Sequence, residues 1–159
     1  MTQVEAKLEA LGLTLPAPLS PVANFVHAVT VGNLVFLSGH VPIRDGAFAF
    51  QGKVGAERTV EEGYQAAQLV MLNCLSSLKK EIGDLDRVER IVKLLGMVNC
   101  TEDFGQHPRV IDGASDLLVE LYGERGRHAR SAVGMQSLPR GFTVEIEMIV
   151  QIEGVSAEA

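Results

Sequence analysis

The chain has 159 residues, 47% hydrophobic and 21% charged, a length and balance that suit one globular domain with its own core. Its formal net charge of −6, from 14 basic and 20 acidic residues, and its 5% of aromatics speak against nucleic acid as a partner. No stretch approaches the roughly 18 continuous apolar residues of a membrane span, and MTQVEAKLEALGL lacks the basic start and apolar run of a secretory leader, so a cytoplasmic protein without membrane contact is expected.

Val4, Leu8 and Leu11 recur at helical spacing before Gly12, which predicts a short helix in an N-terminal extension over 1–15. Pro16, Pro18 and Pro21 then hold the chain in an extended connection. Phe25 to Thr30 reads as a strand, Gly32-Asn33 as a tight turn, and Leu34 to Gly39 as the second arm of a hairpin. Asp45-Gly46 and Gly52 mark a further turn around a short strand or loop. Thr59 and Glu62 match the T-x-x-E capping box, opening a helix that should run to about Ile82, with Ala66, Ala67, Val70, Cys74, Leu75 and Leu78 on its apolar face.

Gly83 ends that helix, Asp84 to Val88 is expected to turn, and Ile91 to Cys100 reads as a buried strand. Pro108 to Tyr122 has the pattern of a second long helix, closed by Gly123. GERGRHAR looks basic and flexible, SAVGMQSL follows it, and Pro139-Arg140-Gly141 turns into FTVEIEMIVQI, the clearest strand of the chain. Val144, Ile146, Met148 and Val150 would share one face of it, with Glu145, Glu147 and Ile149 on the other. Residues 154–159 are expected to be a disordered tail. Cys74 and Cys100 lack any metal-ligand or disulfide spacing and read as buried thiols. The order of elements gives an α+β domain over 1–159: a mixed β-sheet with two long helices packed on one face. With no second helical layer, the sheet's other face would be covered by self-association.

Walker loops, GxSxG elbows, HExxH and dinucleotide fingerprints are absent from the sequence. The chemistry concentrates in Ala129-Arg130-Ser131-Ala132-Val133, in Leu138-Pro139, and in Val144-Glu145-Ile146-Glu147. Upstream, Gly32-Asn33 leads through Leu37-Ser38-Gly39 to Val41-Pro42. Taken together these segments resemble the signatures of the YjgF/Rid (reactive intermediate deaminase) family, whose members also carry endoribonuclease L-PSP labels. The resemblance covers nearly the whole chain and looks like a divergent branch.

It implies a chorismate-mutase-like fold of the Bacillus type, a homotrimer with clefts between subunits, and hydrolysis of small enamines and imines such as 2-aminoacrylate to 2-keto acids and ammonia. It implies no cofactor and no metal. It assigns Arg130 to the substrate carboxylate, a role the planar guanidinium fits through two parallel hydrogen bonds. Glu145 would handle the attacking water as the catalytic residue. Phe25, Ser38, Gly39 and Ala132 would line the substrate pocket. Phe25 stands where the family usually has tyrosine, and Ala132 where it often has cysteine, so the pocket loses two polar groups.

Structural roles compete with each of these. Arg130 could pair with Glu145 or Glu147, His128, a candidate proton carrier just before the motif, could instead be a solvated loop residue, Ser38 could serve a turn, and Asp112, where the family often has asparagine, could be an idle surface residue. A non-catalytic sensor of 2-keto acids is the alternative function, and an endoribonuclease is a third.

Overall fold

A computed structural model describes residues 1–154; residues 155–159, most of the expected tail, lie outside them. In chain order the elements are α1 (Gln3–Ala10), β1 (Ala28–Val31), β2 (Leu34–His40), β3 (Ile43–Arg44), β4 (Ala47–Phe48), α2 (Val60–Ile82), β5 (Val88–Asn99), α3 (His107–Tyr122), β6 (Ala129–Met135) and β7 (Val144–Ile152). Five strands form one mixed sheet in the order β1-β2-β7-β5-β6, while β3 and β4 make a separate ribbon. Only β5 and β6 in the large sheet run parallel, and α3 makes the crossover between them that parallel neighbours require.

The sequence signals act locally as their chemistry dictates. Thr59 accepts from the Glu62 amide at 3.1 Å while the Glu62 carboxylate accepts from the Thr59 amide at 2.8 Å, so the capping box that opens α2 is complete. Gly83 closes the helix at φ 85°, a conformation glycine adopts without strain. Along β7 strict alternation buries Val144, Ile146, Met148, Val150 and Ile152 against the helices. On β5 the alternation is broken by a register shift between Ile91 and Lys93, so Ile91 and Leu94 both reach the core. A Cβ on Gly96 would stand 2.6 Å from Ile111 Cδ1, so the missing side chain is what admits α3 to the sheet.

Three expectations are corrected. The first strand begins at Ala28: the Ser38 amide bond to the His27 carbonyl is the last of the β1–β2 ladder, and beyond it the Val26 carbonyl accepts from the Ser38 hydroxyl instead of a backbone amide. Strand β5, expected from Ile91, begins at Val88, taking in the end of the expected turn. Gly123–Gly126 is a 3₁₀ turn rather than a flexible segment: Arg125 Nη1 reaches the Val88 carbonyl at 2.8 Å, and β6 starts at Ala129, placing Arg130 on a strand. The N-terminal helix docks firmly. Val4 and Leu8 are buried, and Asp86 accepts from the amides of Gln3 and Val4 at 2.7 and 2.9 Å. Cys74 and Cys100 are both buried and free. No helix of the described residues is long and apolar enough to cross a membrane.

His40 closes β2 from inside the core, 1% exposed. Its Nδ1 donates to the Ser38 carbonyl at 2.7 Å, which leaves Nε2 to accept from the Ser77 hydroxyl at 2.8 Å. Burial drives its pKa from the ordinary histidine range down to about 4, so the folded ring is neutral. The unfolded ring binds its proton near pH 6.5 and the folded one only near 4, so this contribution is complete above 6.5 and is lost as pH falls toward 4. The loss amounts to about 3 kcal/mol. Urea unfolding between pH 7.5 and 4.5 should show it, and His40→Gln, which keeps a donor and an acceptor without a titrating ring, should flatten the slope.

Candidate active site

Arg130 points from the edge strand β6 toward α3, on the helix-covered side of the sheet. It pairs with Leu94, itself buried under the helices, and so shares its face. Its Nη1 lies 2.9 Å from Asp112 Oδ1 and 3.0 Å from Ser115 Oγ, and Nη2 donates to the Pro108 carbonyl at 3.3 Å. Pro108, Asp112 and Ser115 stand at i, i+4 and i+7 of α3, one stripe of the helix. Behind them His128 Nδ1 donates to the Gly126 carbonyl at 2.7 Å, so its Nε2 accepts from the Ser115 hydroxyl at 2.9 Å. Burial and then the positive Arg130 hold His128 below the usual imidazole range. Among the described residues, Nε of Arg130 and one hydrogen of Nη2 have no acceptor. Two N–H groups are what a carboxylate takes in bidentate pairing.

Glu145 belongs to the opposite face. On β7 it pairs with Met97, out of phase with the buried Val144 and Ile146. No hydrogen bond or ion pair holds its carboxylate among the described residues. Burial first, and the neighbouring Glu147 second, raise its pKa above the ordinary glutamate range. Gly39 is what lets it lie there: a Cβ on Gly39 would meet Glu145 Cδ at 3.0 Å, and the β2–β7 register shifts between Leu37 and His40. Ser38, beside Gly39, spends its hydroxyl on the Val26 carbonyl, fixing the loop that carries Phe25. Phe25 is 44% exposed and sits edge-on to His27, with ring centroids 5.4 Å apart. Both ring nitrogens of His27 are buried without a partner among the described residues.

The site residues fall into two groups. Ser38, Gly39, Glu145 and the Phe25 loop gather at β2 and β7, whereas Arg130 and Ala132 share the helix-facing side of β6, where Ala132 pairs with Gly96. Glu145 on β7 and Arg130 on β6 are two strand spacings apart, roughly 10 Å, and the sheet itself stands between them. One protomer therefore cannot close Arg130 and Glu145 around one small molecule. No cluster of three or more His, Cys, Asp or Glu suited to a metal ion occurs among the described residues.

The comparisons with known proteins agree with this architecture. Residues 5–148 match the family model "YjgF/chorismate mutase-like, putative endoribonuclease". The chain belongs to the YjgF family. Protein TCP17 of Trypanosoma cruzi is 42% identical over 94% of each chain. The crystal structure of Atu1372 from Agrobacterium tumefaciens, a protein of unknown function, superposes with a TM-score of 0.90 at 41% identity, over 95% of this chain and 93% of that one. RidA from an Antarctic Psychrobacter is more distant, with a TM-score of 0.58 and 27% identity over 87% of this chain and 96% of the other.

As a YjgF protein the chain has its own arrangement around the arginine. Arg130 pairs with neither Glu145 nor Glu147; its partner is Asp112, the acid in the position where asparagine was expected, which is thus no idle surface residue. His128 is half-buried and tied at both nitrogens rather than solvated. Ser115 and the Pro108 carbonyl were missed from the sequence. The i, i+4, i+7 polar stripe on a helix next to the sheet was their available signal.

Proposed function

We propose that the protein hydrolyses small reactive enamines and imines of the 2-aminoacrylate kind to 2-keto acids and ammonia, in clefts that form between copies of a homotrimer. The observation that carries this reading is the arginine held by α3 with two N–H groups still free, together with a half-buried glutamate that nothing neutralises. Their placement on opposite faces supports assembly, since a second copy can set the open face of its β2 and β7 against Arg130 of the first. The exposed Val29, Val31, Phe36 and Val133 fit surfaces covered by another copy.

Arg130 would anchor the carboxylate and so fix the imine carbon. A water attacks that carbon while Glu145 accepts one of its protons, and the C=N π pair moves to nitrogen, which takes a proton. The carbinolamine then collapses: its hydroxyl proton passes by way of Glu145 to the amine nitrogen as the C=O bond forms, the C–N bond breaks, and ammonia departs. A carboxyl with a raised pKa suits both halves of this exchange, because it holds a proton more readily than an ordinary glutamate and can still return it. No cofactor is needed.

The test generates 2-aminoacrylate with a serine dehydratase and follows keto acid release with and without the protein. Acceleration is expected, and Glu145→Gln, nearly isosteric but unable to hold a proton, should lower kcat by about 100-fold or more with little change in KM. Keto acid release at the uncatalysed rate would reject the proposal.

A sensor of 2-keto acids is the second reading. Phe25 favours it, because a phenyl ring at that position offers no hydroxyl to a water or substrate. Binding at Arg130 without turnover would identify it. An endoribonuclease draws no support from a net charge of −6.

A further inference from the structure

Past the C-terminal ends of the parallel strands β5 and β6 lies an open cleft of about 900 Å³, lined in part by Lys53, Cys100, Phe104, His107, Gly134 and Gln136. None of the residues assigned to hydrolysis lines it. Cys100 Sγ is 3.5 Å from His107 Nε2, the separation of a thiol donating to an imidazole. Phe104 packs edge-on against that imidazole, with centroids 5.2 Å apart, and so helps fix its plane. Gly134 lies directly beneath the pair: a Cβ there would stand 2.5 Å from Nε2 and 2.9 Å from Sγ. The thiol and imidazole meet because that strand position is bare.

Lys53 adds a fixed positive charge. Its ammonium donates to Asn99 Oδ1 at 2.9 Å, to the Cys100 carbonyl at 3.4 Å and to the Gln136 carbonyl. Cys74 offers the internal contrast. It is fully enclosed in the core, without a cleft or a base, and its Sγ contacts the Ile146 carbonyl at 3.8 Å.

We infer that Cys100 and His107 form a nucleophilic dyad, and that this cleft is a covalent-attachment site for small soft carbon electrophiles of the conjugated carbonyl class. Burial raises the Cys100 pKa, and Lys53 only partly opposes it, so the resting sulfur keeps its proton and reacts when a base removes it. His107 Nε2 takes that proton as a sulfur electron pair forms the S–C bond to the β-carbon. The C=C π pair moves to the α-carbon, and the imidazolium returns the proton there. Bonds and electrons balance without an oxidant or reductant, and the Lys53 charge favours the thiolate as it develops.

The full chain, incubated with N-ethylmaleimide and sampled by peptide mass spectrometry, gives the rate at each cysteine separately. Cys100 should label faster than Cys74 by at least tenfold, and His107→Gln should slow Cys100 by roughly tenfold or more at pH 7. It should also move the midpoint of the pH–rate profile upward. Lys53 and Glu102, the other charged groups lining the cleft, are kept in that variant, so the shift belongs to the imidazole. Gly134→Ala supplies a second disruption, since only the ends of two flexible side chains need give way; it should slow labelling while leaving the circular dichroism spectrum unchanged. An unlabelled Cys100 in the folded protein, or wild-type labelling in His107→Gln, would overturn the dyad.

Discussion

Arg130→Ala should lower kcat/KM for imine hydrolysis by about two to four orders of magnitude. The estimate follows from the two charge-assisted hydrogen bonds that a bound carboxylate loses, each worth about 1.5–3 kcal/mol, where 1.4 kcal/mol is a factor of ten. A second effect has the same sign. With the guanidinium gone, Asp112 is left half-buried and unpaired, and its charge repels an incoming anion. Arg130→Lys should recover little, because an ammonium cannot bond Asp112, Ser115 and a ligand in one plane. Asp112→Asn should move the opposite way: it removes the carboxylate that competes with the ligand and keeps an amide able to bond the guanidinium, so KM for small carboxylates falls. Steady-state kinetics of the three variants in the dehydratase-coupled assay separates these outcomes, and an Arg130→Ala enzyme of unchanged kcat/KM would exclude the anchoring role.

The second large effect belongs to the scaffold. A Cβ added at Gly113 of α3 would stand 2.0 Å from the Tyr64 carbonyl oxygen of α2, backbone that cannot swing aside. Gly113→Ala must push the helices apart, at a cost of about 3 kcal/mol or more. For a chain of this size that lowers Tm by roughly 10 °C. Gly105→Ala, with nothing within 4 Å of the added methyl, is the control and should melt with the wild type. Because Pro108, Asp112 and Ser115 ride on the same helix, Gly113→Ala should also weaken the hold on Arg130. A differential scanning trace of the two variants measures the scaffold effect directly.

Local chemistry made much of this legible in the amino-acid sequence. The Thr59–Glu62 box, the stop at Gly83 and the alternation of β7 are each decided by a few neighbouring residues, and each stands where its pattern put it. The misread boundaries have long-range causes. Phe25 to His27 has strand-like composition, yet the ladder ends at the His27 carbonyl, and the Ser38 hydroxyl takes the Val26 carbonyl in place of a backbone partner. Ile91 and Leu94 escape a simple alternation because a bulge resets the pleat.

The same division runs through the site. Arg130 and Glu145 stood out by motif, but a motif carries no information about sheet order, so their separation on opposite faces emerged only with β7 and β5 lying between β2 and β6. Asp112 was noted only as a departure from asparagine. Its role depends on how α3 lies over β6, 18 positions along the chain from Arg130, and no local pattern encodes that contact.

In the proposed assembly the guanidinium of one copy and the free glutamate of another meet across a small anion. Crystals soaked with 2-oxobutanoate measure this most directly. The ligand carboxylate should make two parallel hydrogen bonds with Arg130, and Glu145 of a neighbouring copy should face the 2-keto carbon. An anion bound elsewhere, or a protein that remains a lone protomer in solution with Arg130 facing bulk water, would contradict it.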